Sequence, residues 1–164
     1  MEGVMNLTLA FAGYAVQELA LHFERLTREE YASIDALSRK KAPGAPYVEF
    51  AQLPYKLLPK ELATALRSSP TMFECEIMQI AGNFAPHYHR HSGGVMKILG
   101  QEQGTGGLEI LLDCSWHSAM LGEIIILPAG MVHGFRFNEG LVNRDVWAVS
   151  VNIPPLAADD TVYV

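Results

Sequence analysis

At 164 residues, 49% hydrophobic and 18% charged, the chain has the size and composition of one folded domain and is too apolar to be disordered. Its formal net charge of −6, with Arg39-Lys40-Lys41 as the longest basic run, argues against nucleic acid as a partner, because phosphate binding needs clustered Lys and Arg. Two cysteines, Cys75 and Cys114, are too few for a disulfide framework and lie in no zinc-type spacing, so a reducing, cytoplasmic setting is expected.

Along the chain, the apolar stretch over residues 7–15 has no positive flank and is too short to span a bilayer, so no membrane association is expected. Over residues 16–41, Leu19, Phe23, Leu26, Tyr31, Ile34 and Leu37 recur mostly at three- and four-residue steps, which is the helical period. Thr27-Arg28-Glu29-Glu30 is a capping-box pattern that would start a second helix at Thr27. The basic run would sit at the helix end, where it complements the dipole, and Pro43 and Pro46 would stop the helical region. His22 reads as a surface residue of this part.

The character changes after Pro46. Residues 47–50, 72–80, 94–99, 108–114, 123–127 and 145–153 are rich in β-branched and aromatic side chains and are separated by Gly, Pro and Asn. Short strands at this spacing predict an all-β barrel or jelly roll. Pro54, Pro59 and Pro70 predict a mostly irregular segment between the first two strands. Both cysteines fall in strands and read as buried small hydrophobes. The expected organisation is a helical extension over 1–46, a barrel over 47–156 and a loose tail over 157–164.

Four of the six histidines fall in two places. In His87-Tyr88-His89-Arg90-His91, strand alternation puts His87, His89 and His91 on one face if the strand continues that far. A metal needs neutral imidazoles converging from one side, and this run with His133 supplies them. His117, beside Trp116 in an expected loop, reads as a surface residue.

The second place is Gly122-Glu-Ile-Ile-Ile-Leu-Pro128-Ala-Gly130-Met-Val-His133. It resembles the cupin motif of Gly, five residues, Pro, one residue, Gly, two residues and His, with Phe137 at the family's Asn position and Asn138 next to it. Gly122 permits a tight turn, residues 124–127 form a buried strand, and Pro128 and Gly130 turn the chain so that His133 returns to the interior. The stretch from Gly82 to Gly100 resembles the other cupin motif in two registers, with His87 and His89 or with His89 and His91 as the pair. The first suits the downstream strand better; the second resembles cupins that read His-Arg-His-Ser/Thr-Gly. The family's glutamate falls on Gly93 or Gly94 in one register and on Val95 or Met96 in the other, and none of these has a ligating side chain. The resemblance covers residues 47–153.

The resemblance implies a cupin double-stranded β-helix, a jelly-roll barrel, holding one divalent metal on histidines drawn from His87, His89, His91 and His133, with Fe(II) favoured and Zn, Ni or Mn as alternatives. It implies an oxygen-dependent enzyme similar to the three-histidine cupin dioxygenases, acting on a small anionic, enolisable (diketone-like) or thiol substrate. A non-catalytic zinc-binding sensory module, as among the ChrR-like cupins, and a metal-dependent isomerase or lyase are the alternatives. Residues 47–55 resemble the lead-in strand of the ChrR-like group, and no counterpart of the thiol dioxygenases' Ser-His-Tyr relay follows His133. Glu109 is a candidate replacement for the missing carboxylate, and a closed zinc site would need it or His91 as a fourth ligand. Lys97 shares the parity of His87 and His89, which makes it a candidate lumenal cation, whereas Arg90 has the opposite parity. Tyr88, Trp116, Phe135, Phe137 and Trp147 are candidate pocket aromatics. A homodimer paired through edge strands and the N-terminal region is also expected from the resemblance.

Overall fold

The computed structural model describes residues 2–25, 28–37, 39–42, 45–99, 107–138 and 146–164. Thr27, the expected start of the second helix, lies outside them. Among the described residues, three helices, α1 (Glu2–Glu24), α2 (Arg28–Asp35) and α3 (Lys60–Ser68), accompany eleven strands. The strands are β1 (Lys40–Ala42), β2 (Ala45–Gln52), β3 (Glu74–Ile80), β4 (Phe84–His89), β5 (Gly93–Ile98), β6 (Leu108–Leu112), β7 (Ser115–Ser118), β8 (Ile124–Leu127), β9 (His133–Phe137), β10 (Val146–Ile153) and β11 (Thr161–Tyr163).

They form two sheets, a six-stranded one in the order β1-β2-β3-β10-β5-β8 and a five-stranded one in the order β11-β4-β9-β6-β7, with all pairings antiparallel. This is the expected jelly roll, with the inner faces of both sheets meeting in one core. Val48, Ile80, Met96, Ile98, Leu108, Ile110, Ile125, Phe135, Val146 and Ala148 pack in it.

A second core lies on the outside of the six-stranded sheet. There α1 buries Ala12, Ala15, Val16, Leu19, Ala20 and Phe23, a stripe at three- and four-residue spacing, against Cys75, Ile77, Val149 and Val151. The six-stranded sheet is therefore covered on both faces, and polarity along β3 and β10 no longer tells which side faces the lumen.

Several expectations are corrected. The first helix begins at Glu2, well before residue 16, because the stretch over 7–15 continues the same helix. The basic run lies in and beside β1 rather than at a helix end: Arg39 stacks over Trp147 at 5.1 Å and donates to Gln79 Oε1 at 2.7 Å. The sheet starts at Lys40, ahead of the expected barrel boundary. Between β2 and β3, Pro59 stands at the N-terminus of α3, where its missing N–H costs nothing, so the proline starts a helix instead of preventing one. Cys75 is buried, but Cys114 is exposed in the two-residue β6–β7 turn, where Asp113 and Cys114 both have positive φ. His117 lies in β7, not in a loop, and is exposed. The expected loose tail instead contributes β11, paired with β4. No described helix is long and apolar enough to cross a membrane.

Candidate metal centre

Two adjacent strands of the five-stranded sheet carry the site. The β4–β9 ladder sets His87 directly opposite His133. A register shift between Phe84 and His87 lets both face the lumen despite their odd spacing, and His89 follows in ordinary alternation. The bulge brings β4 hard against β9 at Gly134, where a Cβ would meet the Phe84 carbonyl oxygen at 2.9 Å. Gly122 and Gly130 adopt the positive φ their turns require, +73° and +83°, and Gly130 N–H donates to the His89 carbonyl at 2.8 Å.

His87, His89 and His133 each offer a ring nitrogen, and the three atoms lie within 4.8 Å of one another. The aim of each ring is fixed through its other nitrogen. His87 Nδ1 meets the Ala85 carbonyl at 2.8 Å, His133 Nδ1 meets the Met131 carbonyl at 2.9 Å, and His89 Nδ1 meets Thr161 Oγ1 at 3.2 Å. A carbonyl accepts only, so Nδ1 of His87 and His133 carries the proton and Nε2 keeps its lone pair for a metal. Phe84 stacks on His87 with centroids 4.1 Å apart. Burial holds His133 down to about 3 and His89 to about 4, with the neighbouring imidazoles adding to the effect, and it also lowers His87. The three rings are therefore neutral at pH 7, the form that binds metal.

His91 is exposed on the turn after β4 and does not join the cluster. The chain turns there because buried Asp160 accepts the backbone N–H groups of His91 and Ser92 at 2.9 and 3.0 Å. The turn also restarts the parity count. Met96 and Ile98 face the lumen, while Lys97 points outward and donates to Gln17 Oε1 of α1 at 2.8 Å, so it is no lumenal cation. Glu109 is not a ligand either, because it pairs with Arg136 at 2.6 Å, whose guanidinium covers Trp116. Of the expected aromatics only Phe135 lines the cavity; Phe50, Phe84 and Tyr163 are the other rings there.

The cavity, about 80 Å³, has the three histidines on one wall. On the facing six-stranded sheet stand Glu76, Ser150 and Asn152, none singled out by the sequence reading. Asn152 Nδ2 donates to Glu76 Oε2 at 2.9 Å and to Glu74 Oε1 at 3.1 Å. Burial first, and then the Glu74 charge, raise Glu76 to about 7, against the pull of the Asn152 hydrogen bond and of Lys40.

Two predictions arise here. Thr161→Val removes the only partner shown for His89 Nδ1 and is expected to weaken metal binding roughly 10–100-fold. Competition against a chromophoric chelator measures it, and unchanged affinity would mean that Thr161 does not orient the ring. The second concerns pH. His89 and His133 sit below their unfolded values, so the stability they lend above about pH 6.5 is lost as pH falls toward 4 and 3. Glu76 has the opposite sign: raised from 4.5 to about 7, it favours folding below pH 4.5 and loses that contribution as pH rises through 7. Glu76→Gln is therefore expected to stabilise the metal-free protein more at pH 8 than at pH 5 in urea denaturation, and an equal effect at both would remove Glu76 as the titrating group.

No family model and no curated protein matches the chain. Solved structures do. A protein from Planctomyces limnophilus aligns with TM-score 0.57 and 13% identity over 79% of this chain and 91% of its own. A cupin-2 domain protein of Rhodospirillum rubrum aligns at 0.52 and 14%, over 77% and 73%. Pac13 of Streptomyces, a nucleoside dehydratase, aligns at 0.51 and 12%, over 80% and 87%.

Proposed function

The chain has the cupin fold, and from that premise we propose that it is a mononuclear metal enzyme acting on a small anionic molecule, with Fe(II) favoured and Zn, Ni or Mn as alternatives. One observation carries this reading: three imidazoles, His87 and His133 buried and His89 half-buried, each anchored at Nδ1, converge within 4.8 Å with no carboxylate among the described residues joining the group. Such a donor set fits a divalent first-row metal, leaves coordination positions open and leaves its charge for an anionic chelator to balance. When bound, Fe(II) would supply Lewis acidity and dioxygen activation, for oxidation of an enolisable or thiol substrate.

The chain's own residues do the rest. His87, His89 and His133 hold the ion, and the Ala85 and Met131 carbonyls and Thr161 keep the rings aimed. Phe50, Phe84, Met96 and Phe135 give the substrate an apolar enclosure. A closed zinc site loses support, because neither His91 nor Glu109 stands near the three rings. Proton-transfer chemistry of the isomerase or lyase kind gains support from Glu76, a lumenal carboxyl with a value near neutrality. Dehydration on this fold in Pac13 belongs to the same class.

Iron-loaded protein incubated with acetylacetone, and separately with a small thiol, with and without air, separates these readings. Oxygen uptake matched to substrate loss is expected, whereas turnover without oxygen would replace the dioxygenase with the lyase. We further propose a homodimer formed through the β8 edge, where Ile124 and Ile126 are exposed beside Met120 and Leu121. Light scattering is expected to give twice the chain mass, falling to one for Ile126→Glu; a wild-type monomer would remove the dimer.

A further inference from the structure

On the wall facing the histidines, Glu74 serves the fold by accepting the Leu156 N–H at 2.7 Å, but Ser150 has no such role. Ser150 is 5% exposed and lines the cavity, yet its hydroxyl has no hydrogen-bond partner among the described residues. Directly opposite it in the β10–β3 ladder is Glu76, and Asn152 stands opposite Glu74. Gly94 makes room for this row, since a Cβ there would come within 2.8 Å of Asn152 Oδ1. A buried hydroxyl without a partner costs stability, and an apolar residue at its position would remove that cost. Beside a carboxyl and facing the cavity, this hydroxyl is placed to bond with an occupant of that cavity.

We infer that Glu76 and Ser150, with Asn152 holding Glu76 in place, form a recognition site for a substrate hydroxyl, so that the substrate is a small hydroxylated carboxylic acid: one end chelates the metal and a separate hydroxyl reaches the six-stranded sheet. This rests on the reading of the three histidines as a metal site. A hydroxyl both donates and accepts, so it can hydrogen-bond to the Glu76 carboxyl in either protonation state while accepting from Ser150. An alkyl group there would leave the Ser150 hydroxyl unsatisfied, and a carboxylate would be repelled by the negative charge of the Glu74–Glu76 pair. The cavity of about 80 Å³ admits only a compact molecule.

The test uses cobalt-loaded protein, whose visible absorption changes when a chelator joins the metal, titrated with lactate and with glycerate. The two share a chelating 2-hydroxy acid and differ by one hydroxyl. Glycerate is expected to bind about ten-fold tighter. Ser150→Ala should erase that preference, and Glu76→Gln should reduce it. Equal binding of the two acids by the wild type, or a preference untouched by Ser150→Ala, would overturn the inference. Failure to take up cobalt would instead sink the metal reading, and a second measurement still judges the hydroxyl. In metal-free protein, Ser150→Ala is expected to raise Tm by about 2–4 °C, as removal of an unsatisfied buried hydroxyl should. A lowered or unchanged Tm would mean that the hydroxyl serves the fold.

Discussion

The wild type is expected to emerge from purification with about one divalent ion per chain, and the His133→Ala protein with no stoichiometric metal. The effect is large because His133 is central to the group. It is 3% exposed, directly opposite His87 across the β4–β9 ladder, and its ring lies 4.3 Å from His87 and 5.0 Å from His89 by centroid. Two imidazoles alone do not hold a first-row ion against chelators in a buffer. His91→Ala, altering an exposed side chain outside the cluster, should keep its metal. Plasma mass spectrometry on untagged protein decides the matter. Metal retained by His133→Ala, or lost equally by His91→Ala, would break the assignment.

The second large effect is expected from a residue without chemistry. Gly134→Ala should destabilise the protein by about 1–3 kcal/mol, with Tm falling roughly 2–4 °C for each kcal/mol in a domain this size. The Cβ would meet backbone, the Phe84 carbonyl oxygen at 2.9 Å and Pro86 Cα at 3.3 Å, and backbone does not swing aside as a side chain does. To relieve the clash β4 must move away from β9, which separates His87 from His133, so metal affinity should fall as well. Thermal unfolding and a chelator titration of one variant read both consequences. Gly130→Ala is an informative companion, because its Cβ would meet nothing within 4 Å and its cost would be the strained φ of +83° alone.

The barrel and the histidine cluster were largely legible in the sequence, since both rest on local rules. The motif from Gly122 to His133 states its own turns, and alternation along β4 puts His87 and His89 on one face. The register left open by the resemblance is decided by Asp160, whose carboxylate bends the chain after His89 from 68 or 69 residues away and sends His91 outward. The polar wall was illegible for a different reason. In the β3 sequence Glu-Cys-Glu-Ile, alternation reads the glutamates as solvent-facing and Cys75 and Ile77 as core. Here α1 supplies a core on the outside, so Cys75 and Ile77 pack outward and Glu74 and Glu76 are turned into the barrel. The lumenal candidacy of Lys97, the alternative to a solvated side chain, fails for another reason, because its parity was counted through a turn that does not preserve it.

The three histidines differ in what holds them. Ala85 and Met131, whose carbonyls fix His87 and His133, each lie two residues before the ring they aim, so orientation is written into a local tripeptide, within β4 for His87 and at the entry to β9 for His133. His89 depends on Thr161, 72 residues away, on β11, the outermost strand of its sheet. Outermost strands are the first to fray. Departure of the ion should therefore be gated by the peeling of β11, which frees one ligand while two stay aimed, and the dissociation rate should track amide exchange in residues 161–163 rather than global unfolding. The same asymmetry sets what can be transplanted: the segments 85–87 and 131–133 can carry their histidines into another barrel with this bulge, and the third ligand cannot travel without its distant strand.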